Sequence, residues 1–129
     1  MSEAKLQEKV LKDLEKLDAI PVENPKKPGT PDINYLDGWI ELKWLPKFPK
    51  KLTTIVRFPK FTPQQRVWLL KRNMKGGKCF VLAHVDTLYF LFAGVFASKE
   101  LGRITKIHML HHALKVWDHY PYSELKDYL

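Results

Sequence analysis

The chain has 129 residues, which suffices for one domain with a single modest core. An apolar fraction of 45% and four tryptophans predict a folded protein rather than a disordered one. Lysine and arginine number 22 against 14 acidic residues, and the net charge of +8 indicates a polyanionic partner, most commonly nucleic acid. The single cysteine, Cys79, excludes an internal disulfide and a thiol metal site. Because there is neither a signal peptide nor a membrane-spanning apolar run, we expect a cytoplasmic protein.

The first predicted element is a helix over residues 2–17, with Ser2 as its N-cap. Its apolar positions recur every three or four residues and form one stripe: Leu6, Val10, Leu14 and Leu17. Extending this stripe backwards by three residues reaches Glu3, whereas Glu8 lies more than about 100° around the helix. We therefore expect Glu3 to face the core side. A favourable interaction with the helix dipole is the alternative explanation for a glutamate at this position.

Residues 18–28 contain three prolines, which predicts a connector with only a short extended piece over 21–24. Lys26 and Lys27 end this connector, immediately before the next predicted element. They are candidates for contact with a phosphate backbone, although such pairs are more often simply solvated.

Residues 29–43 predict a tight β-hairpin around a type I′ turn at Asp37-Gly38. In the predicted register, Tyr35 pairs with Ile40 and Asp32 with Lys43. Because side chains alternate between faces along a strand, one face carries the apolar set: Ile33, Tyr35, Ile40 and Leu42. The other face carries the polar set: Asp32, Asn34, Glu41 and Lys43. A one-residue slip would mix the two sets, so the pattern itself favours the hairpin.

Asp32, Glu41 and Lys43 form a chemically specific set on the polar face. Two neighbouring carboxylates repel each other, and a divalent cation removes that repulsion. Hard oxygen ligands suit Mg²⁺, with Mn²⁺ as a substitute. Lys43 can stabilise negative charge or orient an attacking water. The set therefore fits hydrolysis of a phosphodiester, in which charge develops at the phosphorus centre and on the leaving oxygen.

Residues 45–60 predict a long loop, because prolines at 46, 49 and 59 exclude a central strand. Basic residues alternate there with Trp44, Phe48 and Phe58, a composition typical of phosphate contact and base stacking. We expect the basic side chains of this segment to contact DNA: Lys47, Lys50, Lys51, Arg57 and Lys60. We expect most of the aromatic side chains to anchor the loop to the core.

Thr62 and Pro63 predict the N-cap and first residue of a second helix, which runs to about Lys75 and ends at Gly76-Gly77. Two buried strands follow over 78–85 and 88–93, joined at Asp86-Thr87, and they complete a mixed sheet.

The last third predicts two helical segments. Ser98 is expected to cap a short helical turn that ends at Gly102. The final helix is predicted from an apolar stripe: Ile107, Leu110, Leu114 and Trp117. Its histidines have no acidic or cysteine partner at a recognisable spacing, so we interpret them as structural or surface residues rather than zinc ligands: His108, His111 and His112.

Pro31-Asp32, followed after a short gap by Glu41-Leu42-Lys43, resembles the motif of the PD-(D/E)xK nuclease superfamily. With the preceding Gly29-Thr30, the sequence is most similar to the virus-type replication-repair nuclease (VRR-NUC) branch, close to archaeal-type Holliday junction resolvases. The resemblance covers about residues 3–85. It implies a restriction-endonuclease-like α/β core, a mixed β-sheet flanked by helices in the order α-β-β-α-β-β-α. It also implies kinship with the small stand-alone nucleases of bacteriophages.

The same resemblance implies roles for individual residues. The Mg²⁺ site would consist of three carboxylates and a main-chain carbonyl: Asp32, Glu41, Glu3 and the carbonyl of Leu42. Glu8 is the second candidate for the acid of the first helix. Lys43 would orient or activate the attacking water. Gln65, three residues before Trp68, would support it from the second helix, and Gln64 is the weaker candidate for that role.

We therefore expect a single nuclease domain over residues 1–129, with a core over about 3–93 and a C-terminal helical extension over about 98–129. The expected activity is Mg²⁺-dependent endonucleolytic cleavage of DNA. Branched DNA such as a Holliday junction is the expected substrate if the protein is a two-fold homodimer. The apolar strands and the aromatic final third can supply a dimer face, but core packing explains them equally well.

A function of another class is a non-catalytic DNA-binding module, or a nuclease subunit whose partner supplies specificity. The intact acid pair argues against the module, because acids on a DNA-facing surface weaken binding unless a metal neutralises them.

Overall fold

A six-stranded mixed sheet forms the centre of the fold, in a computed structural model that describes all residues from 1 to 129. Its strands are hydrogen-bonded in chain order: β1 (Ile20–Pro21), β2 (Ile33–Tyr35), β3 (Gly38–Leu45), β4 (Lys78–Val85), β5 (Leu88–Ala93) and β6 (Lys115–Trp117). β3 and β4 are parallel, and every other neighbouring pair is antiparallel. Parallel neighbours need a crossover, and α2 (Pro63–Met74) supplies it. The predicted strands over 78–85 and 88–93 are confirmed.

Helices cover both faces of this sheet and enclose two core clusters. On one face, α1 (Glu3–Asp13) contributes Leu6 and Val10. The opposite cluster receives one buried side chain from each remaining helix, α2, α3 (Gly94–Glu100) and α4 (Lys106–His112): Leu69, Ala97 and Met109. Along β4, Leu82 points to the first cluster and Val81 to the second, as alternation along a strand requires. The predicted α/β class, a mixed sheet flanked by helices, is confirmed. No helix combines the length and apolar character needed to cross a membrane.

The β2–β3 hairpin is present, but its turn differs from the predicted one. Tyr35 pairs with Gly38 and Ile33 with Ile40, so Leu36 and Asp37 form the turn. Neither turn residue has a positive φ, which contradicts the predicted type I′ geometry. The register is shifted by two residues, and a two-residue shift keeps every side chain on its own face. The predicted apolar face is therefore confirmed, with all its members in one core cluster: Ile33, Tyr35, Ile40 and Leu42.

The close approach of β4 explains why position 38 is a glycine, the residue on which the incorrect turn prediction depended. A Cβ atom at position 38 would lie 2.4 Å from the main-chain oxygen of Lys78. Gly38 is therefore required by the contact between two strands and not by the conformation of the turn.

The predicted N-caps Ser2 and Thr62 are confirmed, but the first helix is shorter than predicted. The hydroxyl of Ser2 accepts a hydrogen bond of 3.2 Å from the main-chain N–H of Lys5. The α-helix ends at Asp13, and a 3₁₀ turn at Glu15–Leu17 replaces the predicted continuation to residue 17. There the carbonyl of Leu17 accepts a hydrogen bond of 2.8 Å from the main-chain N–H of Leu36. In a continued α-helix this carbonyl would instead point along the helix axis.

The loop after β3 is anchored by its aromatic side chains, as predicted. Phe58 is buried, and the ring of Phe48 packs edge-to-face on Phe90 with centroids 6.1 Å apart. Val56 and Phe61 add two further buried anchors. The loop therefore has a fixed course over the sheet, although its basic side chains are exposed.

The C-terminal helices differ from their prediction. Ser98 lies inside α3 instead of capping a helix, and its hydroxyl donates to the carbonyl of Val95 at 2.7 Å. α4 ends at His112, and residues 115–117 add β6 to the edge of the sheet. Three residues of the predicted apolar stripe are accordingly exposed: Ile107, Leu110 and Leu114. Met109 is the buried residue of α4. The helix ends after about two turns, because the pairing of β6 with β5 gives the chain an extended course from Lys115.

Candidate active site

The corrected register brings the two acids of the hairpin together. Continuing the β2–β3 pairing by one residue places Asp32 opposite Glu41, whereas the predicted register placed it opposite Lys43. A carboxylate oxygen of Asp32 accepts a hydrogen bond of 2.8 Å from the main-chain N–H of Leu42. This bond holds the Asp32 side chain against β3, one residue from Glu41.

Glu41 is a buried carboxylate whose two oxygens accept no hydrogen bond. Only 1% of the residue is exposed. Burial, and then the negative charge of Asp32, raise the pKa of Glu41 to about 8, against the opposing effect of Lys43. The Lys43 ammonium, 3.0 Å from Glu41, supplies one positive charge to two neighbouring carboxylates. The arrangement therefore suits a further bound cation.

Lys43 is also buried, and its ammonium group lies between the acid pair and α2. Its Nζ is 3.0 Å from a carboxylate oxygen of Glu41. It donates hydrogen bonds to Oε1 of Gln65 at 2.9 Å and to the carbonyl of Lys60 at 3.2 Å. The ammonium is thus held by three groups on three different segments of the chain.

Gln65 owes its position to the first turn of α2. Its Oε1 accepts the main-chain N–H of Thr62 at 3.0 Å, while its own N–H donates to the Thr62 hydroxyl at 3.2 Å. This reciprocal pair is a capping box. Of the two glutamines considered from the sequence, Gln65 is thus the one beside Lys43, and Gln64 is exposed.

Glu3 lies at the periphery of this group. Burial raises its pKa, and the charges of Lys43, Asp32 and Lys60 also act on it. Glu8 is exposed on α1. The structure therefore brings Glu3, rather than Glu8, towards the acid pair.

The available ligands fit a small hard cation. Because the N–H of Leu42 points towards Asp32, its carbonyl points to the same side of β3, away from β4. Apart from Asp32 and Glu41, no further His, Cys, Asp or Glu side chain completes a three-residue cluster. Mg²⁺ is commonly held by one or two carboxylates, with water and substrate phosphates filling its other positions. Two carboxylates and one carbonyl match that preference.

Gly29 sets the position of the segment that leads into Asp32. Its φ is +92°, and a Cβ atom there would lie 2.4 Å from the main-chain carbonyl group of Gln64. The chain before Asp32 thus packs directly on the first turn of α2. The same turn carries Gln65, so one contact sets the positions of both residues relative to Lys43.

The basic residues expected to contact DNA are all exposed, and none touches the acid pair: Lys26, Lys27, Lys47, Lys50, Lys51, Arg57 and Lys60. Lys60 is nearest, because its carbonyl accepts from Lys43 and its charge acts on Glu3. Lys27 belongs to a separate cleft of about 880 Å³ along the exposed side of α2.

That cleft adds basic residues that the sequence patterns did not single out: Lys71, Arg72 and Lys75. In sequence they are ordinary basic residues in the last turns of a helix, where they interact favourably with the helix dipole. In the sequence, Lys75 follows Lys71 by four residues and Arg72 by three. This spacing was the available signal that the three residues share one side of α2. The acid pair is outside the cleft, and Gln64 at its edge adjoins Gln65.

The three histidines of α4 are exposed: His108, His111 and His112. His112 stacks on Phe96 with ring centroids 5.2 Å apart. No acidic or cysteine side chain joins them in a metal-binding cluster. Their interpretation as surface residues agrees with this placement.

The chain matches no protein-family model, no curated protein and no solved structure. The functional assignment therefore depends on the chemistry of the residues described above.

Proposed function

We propose that this protein is a metal-dependent endonuclease of the PD-(D/E)xK type that hydrolyses DNA phosphodiester bonds. One observation carries the proposal. The Glu41 carboxylate is buried, accepts no hydrogen bond and lies beside both a second carboxylate, Asp32, and the ammonium of Lys43. Burying such a set lowers the free energy of unfolding unless a ligand compensates for it. Two carboxylates and an ammonium are also the groups that cation-assisted phosphodiester hydrolysis requires.

Each residue has a distinct task in this proposal. Asp32, Glu41 and the Leu42 carbonyl would hold Mg²⁺, which supplies charge stabilisation at the phosphorus and the leaving oxygen when bound. Lys43 donates two of its three N–H groups to Gln65 and the Lys60 carbonyl. The third, directed to the Glu41 side, would bring positive charge to the same place and would orient the attacking water once Glu41 holds the metal. Glu3 would reach the metal only through water, because it does not join Asp32 and Glu41 in a three-residue cluster.

The substrate class follows from charge. A net charge of +8 and the exposed lysines around the site favour a nucleic acid backbone over a small phosphodiester. We propose DNA with a branch, and a homodimer as the form that cuts two strands symmetrically.

The deciding experiment is a cleavage assay with Mg²⁺ on linear duplex, single-stranded, flap and four-way-junction DNA. Wild type should cut at least one substrate. Asp32→Ala, Glu41→Ala and Lys43→Ala should each lose at least 100-fold in rate, in the range of single electrostatic contributions to catalysis. Glu8→Ala, an exposed acid on α1, is the matched control and should cut like wild type.

The outcomes separate the candidate functions. Cleavage that persists in Asp32→Ala would remove the proposed site. Tight binding without cleavage by wild type in Mg²⁺ would identify a DNA-binding module instead. Symmetric cuts restricted to the junction would identify a dimeric resolvase.

A further inference from the structure

We infer that the cleft along α2 binds an unpaired DNA strand next to the scissile bond, so that the substrate carries a single-stranded segment beside the cut. The inference rests on the proposed function in taking DNA as the polyanion. It adds a binding surface that lies outside the acid pair.

The charge of the cleft favours a phosphate chain. Four of its eleven lining residues are basic and none is acidic: Lys27, Lys71, Arg72 and Lys75. The cleft follows α2 from Pro63 to Gly77. The twelve residues of α2 span about 18 Å at ~1.5 Å per residue, which is room for several phosphates of one strand.

The apolar part of the cleft favours bases rather than a duplex backbone. Val67 is 49% exposed and forms part of the wall beside Trp68. The guanidinium of Arg72 lies over Trp68 at 4.5 Å and over Trp39 at 5.4 Å, while Arg72 itself remains exposed. Trp39 and Trp68 pack edge-to-face, with ring centroids 5.0 Å apart. A planar cation on an aromatic support is a platform for stacking unpaired bases, which a paired duplex does not offer.

The cleft adjoins the acid pair at one end. Gln64 lines it, and the next residue, Gln65, holds Lys43. Lys27 and Pro28 also line the cleft and precede Gly29, whose main chain packs on Gln64. The segment before Asp32 and the first turn of α2 therefore each contribute residues to both the cleft and the site.

The test measures binding without cleavage, in EDTA, with Asp32→Asn as the common background. Fluorescence anisotropy of a labelled 12-nucleotide oligo-dT reports affinity as salt is varied. Replacing Lys27, Lys71 and Lys75 by alanine should weaken binding at least tenfold. The slope of log binding constant against log salt concentration should also become shallower by about 2, at ~0.7 per lost phosphate contact on single-stranded DNA.

The matched control replaces three exposed lysines on the α1 side of the sheet by alanine, which removes the same charge: Lys12, Lys16 and Lys126. It should change affinity less than twofold. Equal losses in the two triple variants would mean that only net charge matters, and would overturn the inference.

Two further variants probe the apolar part of the cleft. Val67→Glu should weaken oligo-dT binding at least tenfold without unfolding the protein, because the side chain is half exposed. Oligo-dT should quench tryptophan fluorescence in the Asp32→Asn background, and Trp68→Phe should remove most of that quenching. Equal losses for a duplex of the same length, or quenching unchanged by Trp68→Phe, would overturn the single-strand assignment.

The failure of this inference and that of the proposed function can be told apart. If wild type cuts DNA with Mg²⁺ but the cleft variants bind oligo-dT normally, only the cleft assignment fails. If wild type cuts nothing but the cleft variants lose binding, the nuclease proposal fails and the cleft remains a strand-binding site.

Discussion

Glu41 and Lys43 are buried beside each other, with Nζ 3.0 Å from a carboxyl oxygen, and neither oxygen of Glu41 has a hydrogen-bond donor aligned to it. Burying a carboxylate is costly unless charges and hydrogen bonds compensate, and here Asp32 adds repulsion. The pair is therefore better explained by what it binds than by what it contributes to stability. Two predictions follow from how these side chains are held.

Glu41 should make the metal-free protein less stable as pH rises. Its pKa is raised from 4.5 to about 8 in the folded state. Between those values the unfolded chain releases the proton while the folded chain keeps it, so unfolding becomes more favourable. The loss should be on the order of a few kcal/mol, at ~1.4 kcal/mol per unit of pKa difference. Thermal unfolding in EDTA from pH 5 to 8 measures it.

Two comparisons sharpen this pH prediction. Glu41→Gln should flatten the pH dependence, and Glu8→Gln, the same change at an exposed position, should leave it as in wild type. Added Mg²⁺ should restore more stability at pH 8 than at pH 5, because the folded protein binds the cation only after the acid is deprotonated. A wild type with equal stability at both pH values in EDTA would contradict the burial of a protonated Glu41.

Gln65 should act on cleavage through Lys43, as a positioning residue. Gln65→Ala removes both its hydrogen bond to Lys43 and its half of the capping box, whereas Thr62→Ala removes only the cap. Both variants should lose about 1 kcal/mol of stability, typical of a lost N-cap. Only Gln65→Ala should lower kcat, by about tenfold or more, and Gln65→Glu should restore part of it. Equal kcat losses in Thr62→Ala and Gln65→Ala would assign the effect to the helix cap.

At the scale of elements, the site depends on how the segment before β2 docks on α2. Gly29 allows the two main chains to touch, and this contact places Asp32 and Gln65 on either side of Lys43. This backbone contact positions the hairpin on the crossover helix together with the side-chain contacts of Lys43 with Gln65 and of Trp39 with Trp68.

Gly29→Ala should damage both stability and cleavage, because the new Cβ would lie 2.4 Å from the carbonyl group of Gln64. Gly76→Ala is the matched control, since Gly76 also has a positive φ but nothing within 4 Å of its Cβ position. Gly76→Ala should cost about 1–2 kcal/mol, the usual strain of an L-residue in that conformation. Gly29→Ala should cost clearly more and should lower kcat. Denaturant unfolding and the DNA cleavage assay measure the two effects, and equal values for both variants would contradict the docking argument.

At the scale of the whole molecule, the last third of the chain completes the core beneath α1. Trp117 and Leu125 belong to the same cluster as Leu6 and Val10. The Tyr120 hydroxyl donates to a carboxylate oxygen of Asp13 at 3.3 Å, and the N–H of Ser123 donates to the other oxygen at 3.1 Å. These contacts hold α1, and with it Glu3, on the sheet.

Leu125→Ala should therefore destabilise the whole domain by about 3 kcal/mol, in the range of buried Leu→Ala changes. Leu125 is fully buried, whereas Leu52, on the loop after β3, is 58% exposed. Leu52→Ala makes the same substitution and should cost less than about 0.5 kcal/mol. Urea unfolding gives both values. A separate early unfolding transition in Leu125→Ala, instead of a shift of the whole curve, would contradict a single cooperative core.

The faces of the hairpin could be predicted from the sequence, but its register could not. Alternation of apolar and polar side chains is unchanged by a two-residue shift, so Asp32 and Glu41 remained on one face in either register. The turn was wrong because Gly38 serves a contact with Lys78, more than thirty residues away in the chain. Likewise, the last predicted helix was wrong because β6 pairs with β5 and places Trp117 in a strand, while Ile107 and Leu110 stay in α4 on its exposed side.

The sequence by itself determined the elements whose signals are local. These include the capped start of α2, the alternation along β2 and β3, the two apolar strands and the grouping of two acids with a lysine. Caps, turns and alternation depend on residues within a few positions of one another, so a linear pattern contains them.

Only the tertiary structure decided how deeply Glu41 and Lys43 are buried, that Gln65 rather than Gln64 holds the lysine, and that α2 presents a basic cleft beside the site. Each depends on segments that are distant in the chain and close in space. Burial and electrostatic shifts arise from the packing of all neighbours together, so no local pattern could contain them.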